Sequence, residues 1–147
     1  MSKLILALMT GMLITFIVDF FIFLGLKLHY FDFYEIEIFY NVLFADNQNA
    51  LIYFALSIIF GSVVILISNN KLTIMMLSIL SIIAIAPLFS SVGEELGKMM
   101  FIQTNKTYHD AKHTFVGDVY YDGRTTIHFY DNELKRIIIL KKEDLKK

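Results

Sequence analysis

Residues 4–26 read LILALMTGMLITFIVDFFIFLGL, a run of 23 residues interrupted by one charge, Asp19. At about 1.5 Å of rise per residue, roughly 20 apolar residues cross a hydrocarbon core of about 30 Å, so this run is long enough to span a bilayer. That core cannot hydrogen-bond an open backbone, so a spanning segment must be helical. Two further runs have the same character. Asn49 to Asn70 contains no ionisable residue and has its apolar heart at Ala50–Ser68. Leu72 to Gly93 is a third uncharged run, of 22 residues. Three transmembrane helices are expected, at about 4–26, 50–68 and 72–93, within a membrane domain covering residues 1–93. The first run follows Lys3 as a signal peptide would, but it is too long and no A-x-A-like site closes it, so an uncleaved anchor is expected.

Composition agrees with this reading. The hydrophobic fraction is 56% and the mean hydropathy +0.61, against roughly 45–50% apolar residues in an ordinary soluble domain. The chain has 147 residues, about one domain's length, so the apolar excess lies in a few segments. The net charge of −1 leaves no basic field for nucleic acid. With no cysteine, disulfides, thiolate metal sites and cysteine nucleophiles are excluded. The lack of Cys and Trp beside abundant Ile, Lys, Phe and Asn suits a bacterium with an AT-rich genome. The expected location is a bacterial cytoplasmic (inner) membrane.

Each apolar run carries small or polar residues at helical spacing. Gly11, Thr15 and Asp19 recur every four residues in the first. Ser57 and Gly61 form a small-xxx-small pair in the second, with Ala50 and Ser68 near the same face. Ser78 and Ser81 continue through Ala84 toward Ser91 in the third. Lipid tails do not drive helices together, so close backbone approach and interhelical hydrogen bonds must do so. The lanes predict packing of these helices on one another or on a partner's helices. Pro87 removes a backbone donor and predicts a kink near residues 83–87.

Asp19 is the sharpest single residue. A carboxylate within a span costs about 2.5–3.5 kcal/mol on insertion scales, so it needs a reason. Proton relay, cation binding and pairing with a partner's Lys or Arg are the functional readings. The chain supplies no intramembrane base, and the bland reading is a hydrogen bond across the bundle through the lane with Thr15.

Three spans put the termini on opposite sides. Lys3 and Lys71 give the denser positive flanks, so the N-terminus is expected inside and the C-terminal domain outside, in the periplasm. Between the first two runs lies an aromatic, acidic loop at residues 27–49. Tyr30, Phe31, Phe33, Tyr34, Phe39, Tyr40 and Phe44 crowd seven aromatics into 15 residues, interleaved with Asp32, Glu35 and Glu37. It reads as an interfacial aromatic belt, as a docking surface built from Phe31, Phe33, Tyr34, Glu35, Glu37, Phe39 and Tyr40, or as a segment ordered by packing under the C-terminal domain.

Residues 94–113 read as a helical extension to about Gln103 followed by a polar linker, and residues 114–147 as a small β domain with a basic tail. The period there becomes that of strands. Thr114–Tyr120, Arg124–Tyr130 and Leu134–Lys141 predict a three-stranded antiparallel meander, a small α+β unit together with the extension. A three-residue loop, Tyr121-Asp122-Gly123, would pair Phe115 with Phe129, Gly117 with Ile127 and Val119 with Thr125, with Gly123 in the left-handed position of a G1 bulge. Ile137 to Leu140 is continuously apolar, which predicts cover on both faces of the last strand. A sheet this small needs outside help to be stable.

His109 and His113 are spaced four apart, but the general base of H-E-x-x-H is missing and only His128 could join them, so no metal site is expected. Glu94 and Glu95 are adjacent and point about 100° apart on a helix, which is not a catalytic dyad. Asn105-Lys106-Thr107 matches the permissive glycosylation pattern. No Walker motif, nucleophile elbow or Gly-rich phosphate loop is present. The expectation is a non-catalytic chain with no cofactor, whose partners are the lipid bilayer and another membrane protein or complex. It would act as an accessory subunit or assembly factor. The competing expectation is an ion-conducting or membrane-permeabilising homo-oligomer with Asp19 on its path.

Overall fold

A computed structural model describes residues 2–67, 69–110 and 113–145. Ser68 of the second lane, Lys112 of the histidine motif and the end of the basic tail, Lys146 and Lys147, lie outside the described residues. The chain combines apolar helices with a C-terminal antiparallel sheet. Helix α1 runs Lys3–Leu26, opened by the Ser2 hydroxyl accepting from Leu4 N–H, and continues as a π-helical turn Lys27–Phe31. Helix α2 is Tyr40–Asn47 and α3 is Ala50–Gly61, prolonged by a π-helical turn Ser62–Leu66. Helix α4 is Asn70–Ile85 and α5 is Ser90–Phe101, separated by a 3-10 turn Ala86–Leu88.

Two of these helical stretches, Lys3–Phe31 and Asn70–Leu88, are long and apolar enough to cross a membrane. A third qualifies only if Tyr40–Asn47 and Ala50–Leu66 count as one span, and those two are bent by 84°. The three expected spans are corrected accordingly. The bend falls on Asn47-Gln48-Asn49, where Gln48 is extended and the Asn49 side chain accepts from Leu51 and Ile52 N–H to start α3 afresh. Polar groups that satisfy a helix terminus make that terminus favourable. The third run is corrected as well. It stops at Ala86–Leu88, Phe89 is extended (φ −86°, ψ 131°), and α5 is a separate helix rather than a continuation to Gln103. Pro87 has no N–H and its ring obstructs the preceding turn, so the expected kink becomes a break.

Helices α1 and α3 are antiparallel and touch backbone to backbone. A Cβ placed on Gly11 would strike the Ser57 carbonyl oxygen, and one on Gly61 would strike the Ala7 carbonyl oxygen. Between them Thr15 Oγ1 donates to the Gly11 carbonyl at 3.0 Å, and the Ser57 hydroxyl lies 3.2 Å from Thr15 Oγ1 and 2.8 Å from the Tyr53 carbonyl. Tyr53 Oη donates to the Met12 carbonyl at 2.9 Å. Helix α4 runs alongside α1, leaving a shallow apolar furrow between Ile14–Phe21 and Leu77–Ile85.

The sheet has four strands in the order β1-β2-β3-β4, namely Gln103–His109, Thr114–Asp122, Thr126–Asp131 and Arg136–Lys141. The residues expected as a linker are thus mostly β1, a correction with a simple cause. This edge strand is exposed almost throughout, so its sequence carries no buried alternation. The first hairpin register also differs from expectation: Val119 faces Phe129, Tyr121 faces His128 and Asp122 faces Ile127. The turn lies on Arg124-Thr125, with Gly123 N–H donating to the Thr126 carbonyl at 2.9 Å, and no glycine has positive φ. The bulge sits instead at Tyr120, between Val119 and Tyr121.

That bulge serves two cores. Val119, Ile127, Phe129 and Leu140 are buried on one face, closed by Tyr108, Phe115, Ile138 and Leu145. Two residues opposing one at a bulge re-aim the strand, and Tyr120 and Tyr121 both pack against the helical core of Phe23, Leu26, Tyr30, Phe31, Ile36, Leu43 and Phe101. Tyr30 Oη donates to the Tyr120 carbonyl at 2.7 Å. Asp46 pairs with Arg124, joining α2 to the β2–β3 turn. The aromatic loop and the sheet therefore lie together at the C-terminal end of α1.

Candidate functional site

The aromatic loop divides into a buried half and an open half. Phe31 is 0% exposed and its ring lies 5.0 Å from Phe101 and 5.1 Å from Tyr121. It belongs to the core, which removes it from the expected docking surface. Tyr34 is half-buried, its ring 4.7 Å from Tyr120, and Tyr40 is half-buried with its hydroxyl donating to the Phe20 carbonyl at 2.9 Å. Large rings here fill the gap between helices and sheet because their area is best removed from water. Of the three readings of this loop, packing under the C-terminal domain describes its buried half.

The open half begins where the chain reverses. Glu35 adopts φ 54°, a conformation uncommon for a non-glycine residue, and Ile36 drops into the core at 1% exposure. Phe33 and Phe39 stay outside, 62% and 81% exposed, with Glu35 and Glu37 exposed beside them. Across from this segment stand β3 and β4. Together they enclose a groove of about 940 Å³ lined by Ile36, Ile38, Phe39, Tyr40, His128 and Ile139 and by the charged Lys27, Asp32, Glu35 and Glu37. Lys27 and Asp32 pair with each other. A second recess adds Phe33, Arg136 and Ile137 on the other side of His128 and Ile139. The buried His128 has its imidazole pushed below the usual value by burial, while the Glu37 carboxylate pulls it up.

Asp19 does not join the Gly11–Thr15 crossing. Its carboxylate accepts from Gln48 Nε2 at 2.9 Å, at the α2–α3 bend. It lines a recess of about 210 Å³ with Asn47, Asn49, Tyr53 and Met100. Gln48 is the partner that sequence reading missed. The signal was the Asn47-Gln48-Asn49 triplet, a polar cluster at the leading edge of the second apolar run.

Gly11, Thr15, Ser57 and Gly61 are brought together at the α1–α3 crossing. Ser78 and Ser81 are not: both are exposed, and the Ser81 hydroxyl returns to the Leu77 carbonyl of its own helix at 2.8 Å. Helix α4 meets α1 mostly through larger side chains, with Ser81 and buried Ala84 the small residues lining the furrow between them. The histidines stay apart. His109 and His113 flank the β1–β2 turn, where His109 Nδ1 lies 3.0 Å from Thr114 Oγ1 and His113 Nδ1 is 4.0 Å from Asp110 Oδ2, while His128 lies within β3. Among the described residues no three His, Asp or Glu side chains gather in a metal-binding group. Glu94 and Glu95 both reach Lys98 at 2.8 Å, and these contacts hold the lysine ammonium well above its usual pKa. No family model matches the chain, and no curated protein or solved structure matches it significantly.

Proposed function

We propose that this chain is an integral membrane protein that works by holding another membrane protein or complex, as an accessory subunit or an assembly and stabilisation factor. One observation carries the reading. Phe33, Phe39 and Ile139 remain exposed around a groove outside the apolar helices. An exposed apolar patch with a polar margin is the usual mark of an interface. The apolar helix surfaces face lipid in this reading, so they do not compete for the same explanation. A bacterial inner membrane is the proposed site, with Lys3 and Lys71 on the cytoplasmic side and the sheet in the periplasm.

Photo-crosslinking residues at positions 39 and 139, used in intact cells and followed by mass spectrometry, test this directly. A discrete, reproducible protein adduct at both positions is expected. Adducts to lipid alone, or to random neighbours, would count against it. Fusion reporters at both termini check the orientation.

A second reading, an ion-conducting homo-oligomer, draws on the polar recess at Asp19. It predicts pH-dependent current from purified protein in planar bilayers, altered by Asp19→Asn. The Gln48 contact gives it less support, since it already engages one carboxylate oxygen.

A further inference from the structure

The two free edges of the sheet are unlike. The β1 edge is polar, irregular in register between Gln103 and Lys106, and distorted at Asn105 (φ 55°). Such edges are blunted against pairing. The β4 edge is regular: Arg136 to Lys141 pairs without a break against Asp131 to Thr126. Among the described residues no strand pairs on its outer side. Lys142 N–H donates to the Thr125 carbonyl at 2.9 Å, and antiparallel alternation from that bond turns the N–H and C=O groups of Ile137 and Ile139 outward. Ile137 and Ile139 sit beside the groove, and Ile139 is 62% exposed.

We propose that the β4 edge takes an extended segment of a partner protein as a fifth strand, one with an apolar centre and carboxylates at both ends. This rests on the partner-binding reading above and names the kind of segment that site accepts. The apolar centre follows from Ile137 and Ile139 and from Phe33 and Phe39 near the groove. The acidic ends follow from the bases at the two ends of the strand, Lys135 and Arg136 at its start and Lys141 and Lys142 at its finish. Lys142 also pairs with Asp122 and Lys141 lies 3.9 Å from Glu143, exposed pairs weak enough to exchange for a partner's carboxylate. Opposite charges across a strand pair stabilise it and like charges oppose it. Those same bases argue against a second copy of this chain. An antiparallel two-fold pairing centred on Ile138, Ile139 or the bond between them sets Lys135 or Arg136 against Lys141 or Lys142 in every case.

The test uses the full chain in nanodiscs and four fluorescent β-prone peptides of about seven residues, matched to the strand length. One has Glu at both ends, one has Lys, and two are the Glu form N-methylated on alternate amides, one in each phase. The Glu-ended peptide should bind about threefold to tenfold tighter than the Lys-ended one, the effect of two cross-strand charge pairs. Arg136→Glu with Lys141→Glu should reverse that preference. N-methylation should abolish binding in one phase and spare it in the other. Ile139→Pro should abolish binding while leaving the β3–β4 ladder, because the Ile139 N–H faces outward. No binding by any peptide, a Lys preference imposed by Glu35 and Glu37, indifference to charge reversal, or dimers of the chain through this edge would each overturn the proposal. The cellular adducts at positions 39 and 139 would still report on partner binding itself, so the two failures are distinguishable.

Discussion

At Gly11 a single missing side chain sets the approach of two helices, because the Ser57 carbonyl occupies the space a Cβ would need. Gly11→Val should therefore lower resistance to denaturation in mixed detergent micelles by about 1–3 kcal/mol, the range for overpacking a closed contact. Ser81→Ala, whose hydroxyl bonds only within its own helix, should stay within about 0.5 kcal/mol. An equal effect of the two would mean that the α1–α3 crossing is not the tight contact described. His128 is informative at the same scale. Burial keeps its imidazole below the ordinary value, so the unfolded chain takes up a proton that the folded protein resists. Folding stability is then greatest above about pH 6.5 and falls as the pH drops below it. His128→Gln should flatten that slope in a pH series of denaturation midpoints; an unchanged slope would place its origin elsewhere.

At the scale of elements, the loop between α1 and α3 is a structural layer with one open side. Phe31 contacts α5 and β2 at once through Phe101 and Tyr121. Phe31→Ala should cost about 3–5 kcal/mol, the usual penalty for an emptied aromatic site. Phe39→Ala, at a position 81% exposed, should leave stability within about 0.5 kcal/mol while weakening the protein adduct expected from a crosslinking residue at position 139. Thermal unfolding of both variants decides between core and surface roles. The Tyr120 bulge performs a related task in β2: it lets one strand send Val119 into the sheet's own core and Tyr121 into the helical one. The β3–β4 turn is held locally, with the Asp131 carboxylate accepting from Glu133 and Leu134 N–H at 2.8 and 2.9 Å.

At the scale of the molecule, the sheet and the helices complete each other, since Tyr120 and Tyr121 pack against the core built by α1, its π-helical turn, the aromatic loop, α2 and α5. A fragment of residues 103–145 should therefore lack fixed near-ultraviolet circular dichroism, and a cooperative unfolding transition in that fragment would refute the mutual dependence. Much of this architecture was legible in the chain. The apolar runs, the Gly11–Thr15 lane and the Ser57–Gly61 pair, the Pro87 irregularity and the strand character after Thr114 are all local patterns, written in composition and spacing. Nonlocal choices were hidden. The β1 strand carries no apolar alternation because backbone pairing alone holds it. The hairpin register followed a bulge whose reward lies in the distant Tyr30 and Phe31, not in the turn residues. Asp19 chose Gln48, 29 positions away, over the nearer Thr15, because the α2–α3 bend carries that amide to it. Sequence alone determined which segments are long and apolar and which residues are small enough to let helices meet, since those depend on each residue's own chemistry. Only the tertiary structure decided which aromatics became core and which stayed open, because burial belongs to the neighbours a side chain acquires when the chain closes on itself.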